Sequence, residues 1–310
     1  MKHENFKTCD QAGFCKRNRA YADTAAAAGP SWEVPYQITP DSLSWTNGQL
    51  QGTILKTINA NGETVRLPIT ISFLESGSAR VVVDEEKRQK GEIELRHNSK
   101  AKKQRYNEAE SWAIVGGLSL STTATEERDG MKSTVKYGKN GQFEAVITFA
   151  PFGIDFKRDS ITEIKLNDRG LLNVEHWRPK IDKPEPEKKE GEAETPVPEI
   201  PAGEDESTWW DESFGGSTDT KPKGPESVGL DITFPGYAHV YGIPEHAGPM
   251  SLKETRGGEG NHQDPYRLYN ADVFEYIMDS PMTLYGAIPF MQAHKKDSTV
   301  GVFWLNAAET

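Results

Sequence analysis

Four acidic residues lie among aromatic ones in the C-terminal quarter of the chain: Glu245 in YGIPEHA, Asp264 in HQDPYR, and Asp272 and Glu275 in YNADVFEY. Tyr241, Tyr266, Tyr269, Phe274, Tyr276 and Tyr285 interleave with them. The combination suits a carbohydrate, because a pyranose offers an apolar C–H face to an aromatic ring and a rim of hydroxyls to a carboxylate. Hydrolysis of a glycosidic bond would take two such carboxylates about 5 to 9.5 Å apart. On composition alone the plainer reading weighs more, with the aromatics in a core and the acids in turns. The GGEG run at 257–260 lacks the strand–GxGxxG–helix setting that a phosphate cradle needs. Cys9 and Cys15 are the two cysteines, with no second cysteine pair or well-spaced histidine pair beside them, so no metal site is expected. Their spacing leaves open a free pair or a small disulfide loop formed in an oxidising compartment.

Charge excludes one class of partner. The 310 residues carry 36 Lys and Arg against 47 Asp and Glu, a net charge of −11. Nucleic-acid binding needs clustered positive charge instead. No apolar run of about 18 residues occurs, so no transmembrane helix is expected. The opening MKHENFKTCDQAGFCKRNR has no apolar stretch of the signal-peptide kind. The expectation is a cytosolic protein or one whose signal has been removed. No Asn-x-Ser/Thr sequon argues independently for secretion.

The elements that would position these residues read as strands. GQLQGTILKTI (48–58) alternates, with Leu50, Thr53 and Leu55 marking a half-buried face. NANG (59–62) turns it, and residues 63–76 answer with Val65, Leu67, Ile69, Ile71 and Phe73 at period two. Residues 78–86 make a third strand, and strands resume at 115–122. A second hairpin turns at Lys139–Gly141 between Val135 and Tyr137 on one side and Phe143, Ala145, Ile147 and Phe149 on the other. A third is expected over 160–177, turning at Asn167–Gly170. Segment 100–113 could form a short helix. Turns about every ten residues and almost no helix predict an all-β antiparallel sandwich.

Residues 1–31 read as a loosely attached N-terminal segment, pinned mainly by the Cys9–Cys15 loop, with Lys16, Arg17 and Arg19 on a solvated face. The sandwich is expected over 32–310, interrupted by an acidic, Pro-rich insertion at 181–207. That insertion holds ten acids, three lysines and five prolines, so it contributes −7 of the −11 and should be disordered. Trp209, Trp210 and Phe214 would re-anchor the chain on the sandwich.

HVYGIPEHA (239–247), PYRLYNADVFEY (265–276), LYGAIPF (284–290) and VGVFWLNAAET (300–310) together resemble glycoside hydrolase family 31. The likeness is greatest to its endoplasmic-reticulum α-glucosidases, which trim glucose from N-glycans. FKTCDQAGFCKRNR (6–19) and GPESVGLDITFPG (224–236) resemble the same branch.

The resemblance implies a galactose-mutarotase-like β-sandwich preceding a (β/α)8 barrel. Its retaining mechanism uses two aspartates on barrel loops and no metal or organic cofactor. The family's nucleophile motif, of the form W-N-D-M-N-E, does not occur in the 310 residues. No catalytic residue is therefore expected in this chain, and the chain alone should be inactive. The barrel would lie downstream of Thr310 or on a separate chain.

The family's N-terminal domain supplies one wall of the pocket. YNADVFEY matches that wall, so Asp272 is assigned to accept substrate hydroxyls and Phe274 to offer an apolar platform. The single intervening Val273 puts both side chains on one side of an extended segment. Tyr269 and Asn270 would support the loop, and Glu245 and His246 would orient it. An oxidising lumen makes Cys9–Cys15 a disulfide. The implied partners are a glucosylated high-mannose N-glycan carrying α-1,3-linked glucose, a lectin-like regulatory β subunit, and the barrel itself. The competing reading is a stand-alone carbohydrate-binding module. An aldose epimerase is disfavoured, because His239, His246 and His262 are too loosely placed.

Overall fold

The computed structural model describes residues 3–59, 61–85, 114, 116–176, 209–221 and 224–305. The helix expected over 100–113 and the acidic insertion at 181–207 lie outside them.

Five strands open the fold: β1 (Tyr36–Ile38), β2 (Ser44–Thr46), β3 (Gln49–Thr57), β4 (Thr64–Phe73) and β5 (Ala79–Val83). They form one antiparallel sheet in the order β1-β3-β4-β5, with β2 also on β3. The turn between β3 and β4 falls at 59–62. The Asn59 side chain accepts from the amides of Asn61 and Glu63, and Gly62 takes the positive φ that the turn needs. Alternation in β4 is as expected, with Leu67, Ile69, Ile71 and Phe73 buried.

The inward face of β3 differs from the expectation. It is Leu50, Ile54 and Lys56 that are buried, while Thr53 and Leu55 face the other way. The register with β4 is unbroken from Gln49 to Thr57, so only residues of one parity can share a face. Lys56 turns inward because its ammonium donates to the Val174 carbonyl at 2.9 Å and lies over the Tyr36 ring.

The next five are β6 (Thr125–Arg128), β7 (Lys132–Tyr137), β8 (Phe143–Thr148), β9 (Gly153–Arg158) and β10 (Ile161–Leu166). The hairpin at 138–141 joins β7 to β8 as expected, pairing Val135 with Ala145 and Tyr137 with Phe143. The strand expected over 115–122 reduces to one bridge, Leu74 to Leu120, and β6 begins later.

Four short strands follow: β11 (Asn173–Val174), β12 (Asp211–Phe214), β13 (Ser217–Thr220) and β14 (Val228–Gly229). β15 (Ile232–Thr233) completes a six-stranded sheet in the order β15-β10-β9-β8-β7-β6. Residues 160–177 are not a hairpin. β10 pairs with β9 and β15, whereas β11 pairs with β14. Asp231 accepts from the amides of Arg169 and Leu171, and the Asn167 side chain links the Phe152 carbonyl to the Leu172 amide. These contacts divert the chain past Asn167 to strands far along the sequence.

The two large sheets stack. One cluster takes Tyr36, Leu50, Ile54, Ile71 and Phe73 from the first and Val135, Tyr137, Ala145, Ile147 and Ile154 from the second. Phe73 and Tyr137 meet across the interface with ring centroids 4.9 Å apart. Backbone bonds from Ile38 to Phe149 and from Phe152 to Tyr36 stitch one edge. Full burial of such aliphatic and aromatic side chains is worth about 1.5–3 kcal/mol each, so this interface dominates stability.

The N-terminal segment is firmly built in. Gly13–Ala28 forms a helix, α1, ended by Gly29 at positive φ and by Pro30. Ala and Arg favour a helix locally even where an apolar stripe is weak. Arg17, expected on a solvated face, is buried in an ion pair with Glu175. Tyr21 packs edge-on against Trp32. The hairpin of β12 and β13 seats on this segment, because Glu212 accepts from Lys7 and from the Gly13 amide. Trp209 is buried edge-on against Trp210, outside the sandwich core cluster.

Candidate functional site

The last three strands, β16 (Val240–His246), β17 (Thr283–Lys295) and β18 (Ser298–Phe303), form a sheet of their own. A polar knot around the buried Glu163 ties it to the six-stranded sheet. Glu163 on β10 accepts from Tyr237 at 2.6 Å, Ser298 at 2.9 Å and Lys295 at 3.0 Å. Burial would raise the Glu163 pKa, but these donors outweigh it and hold the carboxyl below its ordinary value. On β9, Arg158 adds bonds to the Ser298 hydroxyl and the Thr299 carbonyl.

YGIPEHA forms β16 with two register irregularities against β17. Gly242 has φ of 99°, and a Cβ there would lie 2.4 Å from the Phe290 carbonyl oxygen, so no other residue fits without displacing backbone. Ile243 also has positive φ, an outlier for a β-branched residue that the surrounding pairing must hold in place.

Between β16 and β17 runs a long connection, residues 247–282, which carries the predicted site. The GGEG run is a tight turn closed by the Gly257 amide on the His262 carbonyl. His262 is buried edge-on against Tyr266, whose ring also meets His246. Burial lowers the His262 pKa, with Asp279 opposing. Asp279 is itself paired with Lys253 at 2.7 Å.

Beyond Tyr266 the chain lies along the start of β17 and is fixed by side chains. The Thr283 hydroxyl donates to the Tyr269 carbonyl at 2.7 Å, and Asn270 accepts from the Ala287 amide at 2.9 Å. The Ala271 amide donates to Leu284, and the Tyr285 hydroxyl donates to the Val273 carbonyl at 2.7 Å. Tyr269 and Asn270 therefore support the loop, as read from the sequence. Thr283 and Tyr285 carry no local signal of this supporting role, because only folding brings their hydroxyls onto backbone 12 to 14 residues earlier.

The result is a fixed presentation. Val273 points inward and is 3 % exposed, while Asp272 and Phe274 on either side of it are exposed, Phe274 completely. A carboxylate acceptor and an open aromatic face thus stand two residues apart on one buttressed segment. The other candidate acids have different duties. Asp264 accepts from the Cys9 amide at 2.8 Å, and Glu245 accepts from the Gly286 amide at 3.2 Å. Around the loop, Ile277, Met278, Tyr285, Ile288, Phe290 and Phe303 are also exposed. Phe290 and Phe303 are cross-strand partners. Among the described residues, no group of three His, Cys, Asp or Glu is placed to hold a metal ion, and no helix is long and apolar enough to cross a membrane.

Two stacked antiparallel sheets with a third sheet tethered beside them define an all-β sandwich domain. The chain belongs to the family of the glycosyl hydrolase 31 N-terminal galactose mutarotase-like domain, whose model matches residues 68–310. It is 41% identical over 319 residues to the glucosidase 2 subunit alpha of Schizosaccharomyces pombe, matching all of this chain and 31% of that protein. A crystal structure of a glucosidase II alpha subunit in a Glc1Man2-bound form superposes with a TM-score of 0.86 at 65% identity, over 99% of this chain and 31% of the other. The same score, at 66% identity over 98% and 31%, holds for a crystal structure of an ER glucosidase II heterodimeric complex of the catalytic subunit and the binding domain of the regulatory subunit. The chain thus spans about a third of the length of the relatives it matches. Cys9 and Cys15 are joined in a disulfide with Cα atoms 5.2 Å apart.

Proposed function

We propose that this chain is the N-terminal part of an α-glucosidase of the endoplasmic-reticulum lumen. That enzyme removes α-1,3-linked glucose from glucosylated high-mannose N-glycans with retention of configuration. This part forms one wall of the substrate pocket. The two catalytic aspartates belong to a (β/α)8 barrel packed against the exposed apolar side of the third sheet and its loop. A face bearing Ile277, Met278, Ile288 and Phe303 is suited to being covered by another protein surface.

The observation that carries the reading is the pairing of exposed Asp272 and Phe274 about buried Val273. The carboxylate accepts hydroxyl protons from the sugar, and the ring lies against its C–H face. A lectin-like regulatory subunit is the further partner, by likeness to the heterodimeric glucosidase II.

The test is Asp272→Ala in the full-length enzyme, assayed on an α-1,3-linked glucose disaccharide. A hydrogen bond to a charged group is worth about 1.5–3 kcal/mol, so kcat/KM should fall roughly ten- to a hundredfold while the melting temperature holds. Unchanged kinetics would remove Asp272 from the pocket.

A further inference from the structure

Resting on that reading of the Asp272–Phe274 loop, we infer that the disulfide-closed N-terminal clasp positions this loop for substrate, with Phe6 and Cys9 as its contact points. The two segments are more than 230 residues apart in the chain, yet they meet repeatedly. The Cys9 amide donates to Asp264 at 2.8 Å, and the Phe6 ring lies against Tyr269 with centroids 5.8 Å apart. Arg19 donates to the Thr255 carbonyl at 2.6 Å and to the Gln263 carbonyl at 2.8 Å, and Arg256 pairs with Asp23 at 3.0 Å.

The clasp is rigid for identifiable reasons. Its disulfide joins Cys9 to Cys15 within the first turn of α1, so the Cys9 amide cannot turn independently of the helix. The helix is in turn held on the sandwich by the buried Arg17–Glu175 pair, and Glu175 also accepts from the amide and hydroxyl of Ser227. A continuous path of packed and bonded groups therefore runs from the sandwich core edge, through α1 and the disulfide loop, to Tyr269. Tyr269 is three residues before Asp272 and is fixed on its other side by Thr283. Removing the Phe6 ring takes away the clasp's contact with Tyr269, the point of its hold nearest to Asp272, and leaves Cys9 on Asp264 and Arg19 on Thr255 and Gln263 farther back along the loop. A shift of about 1 Å in a positioning group far from the chemistry can cost about a hundredfold in catalytic efficiency.

The experiment is a double-mutant cycle in the full-length enzyme, with p-nitrophenyl α-glucoside and an α-1,3-linked glucose disaccharide as substrates. Phe6→Ala should raise KM for the disaccharide roughly tenfold, the size of coupling found between groups in contact. Its kcat and melting temperature should stay near wild type, and Phe6→Tyr should restore KM. The paired Cys9→Ser, Cys15→Ser variant should act in the same direction. In a background carrying both Asp272→Ala and Phe274→Ala, Phe6→Ala should add nothing, because the groups it positions are gone. Additive effects, or wild-type kinetics for Phe6→Ala while Asp272→Ala is impaired, would overturn the clasp and leave the proposed pocket standing. Wild-type kinetics for Asp272→Ala itself would overturn both.

Discussion

In β4 the apolar residues Leu67, Ile69, Ile71 and Phe73 turn inward and are at most 2 % exposed; in β17 Tyr285, Ile288 and Phe290 turn outward and are 40 to 67 % exposed. Both are long antiparallel strands, but their surroundings differ. β4 lies in the middle of a sheet stacked on another, and dispersion and burial hold it. β17 is central in a sheet attached to the rest by named polar bonds, the Glu163 knot above all. The first region uses its apolar residues for stability. The second keeps them on the surface and relies on directional bonds to keep its shape.

That contrast can be attacked at three points. The largest effect should come from Phe73→Ala, which empties the centre of the stacked sheets. Truncating a buried Phe costs about 3–5 kcal/mol, so the urea midpoint should drop steeply. A small change would mean that the sandwich core is not where stability resides.

An intermediate effect should appear in acid. Burial pushes the Glu212 carboxyl up, but the Lys221 ammonium, the Gly13 amide and the Lys7 ammonium outweigh it and bring the pKa down to about 2. A depressed carboxyl contributes stability above its unfolded value of 4.5, and the contribution is lost as pH falls from there toward 2. Thermal melts of wild type and Glu212→Gln should therefore converge across that window. Curves that stay parallel would show that the β12–β13 hairpin is not held to the N-terminal segment by charge.

The smallest effect should be that of Ile288→Ser on the stability of this chain, within about 0.5 kcal/mol, because Ile288 is 67 % exposed. A loss of several kcal/mol would put Ile288 in a core and erase the contrast.

The strands were readable because alternation is a local signal. Val135, Ala145 and Ile147 announce a buried face by their spacing alone, and the glycines and asparagines at 59–62 and 138–141 announce the turns. The one misread strand face, on β3, came from mixing parities that the pairing with β4 does not allow. The helix α1 escaped notice because its apolar stripe is weak and its inward face includes Arg17, a residue type that usually signals solvent. The misread hairpin at 160–177 has the same kind of origin. A turn at Asn167–Gly170 is local, but its strands' partners, Ile232–Thr233 and Val228–Gly229, are some 55 to 70 residues away.

The candidate site divides along the same line. Asp272, Val273 and Phe274 could be read from the sequence, because an extended segment alternates and the surrounding blocks carry the family's pattern. By itself the sequence determined most of the sheet-forming segments, the β class and the alternation that exposes Asp272 and Phe274 about Val273. Only the tertiary structure decided what holds them: Cys9 on Asp264, Arg17 on Glu175, Lys295 on Glu163 and Tyr285 on Val273. Three of those four contacts join residues more than 130 positions apart. They form only once chain entropy has been overcome by burial elsewhere, so no local pattern of residue types encodes them.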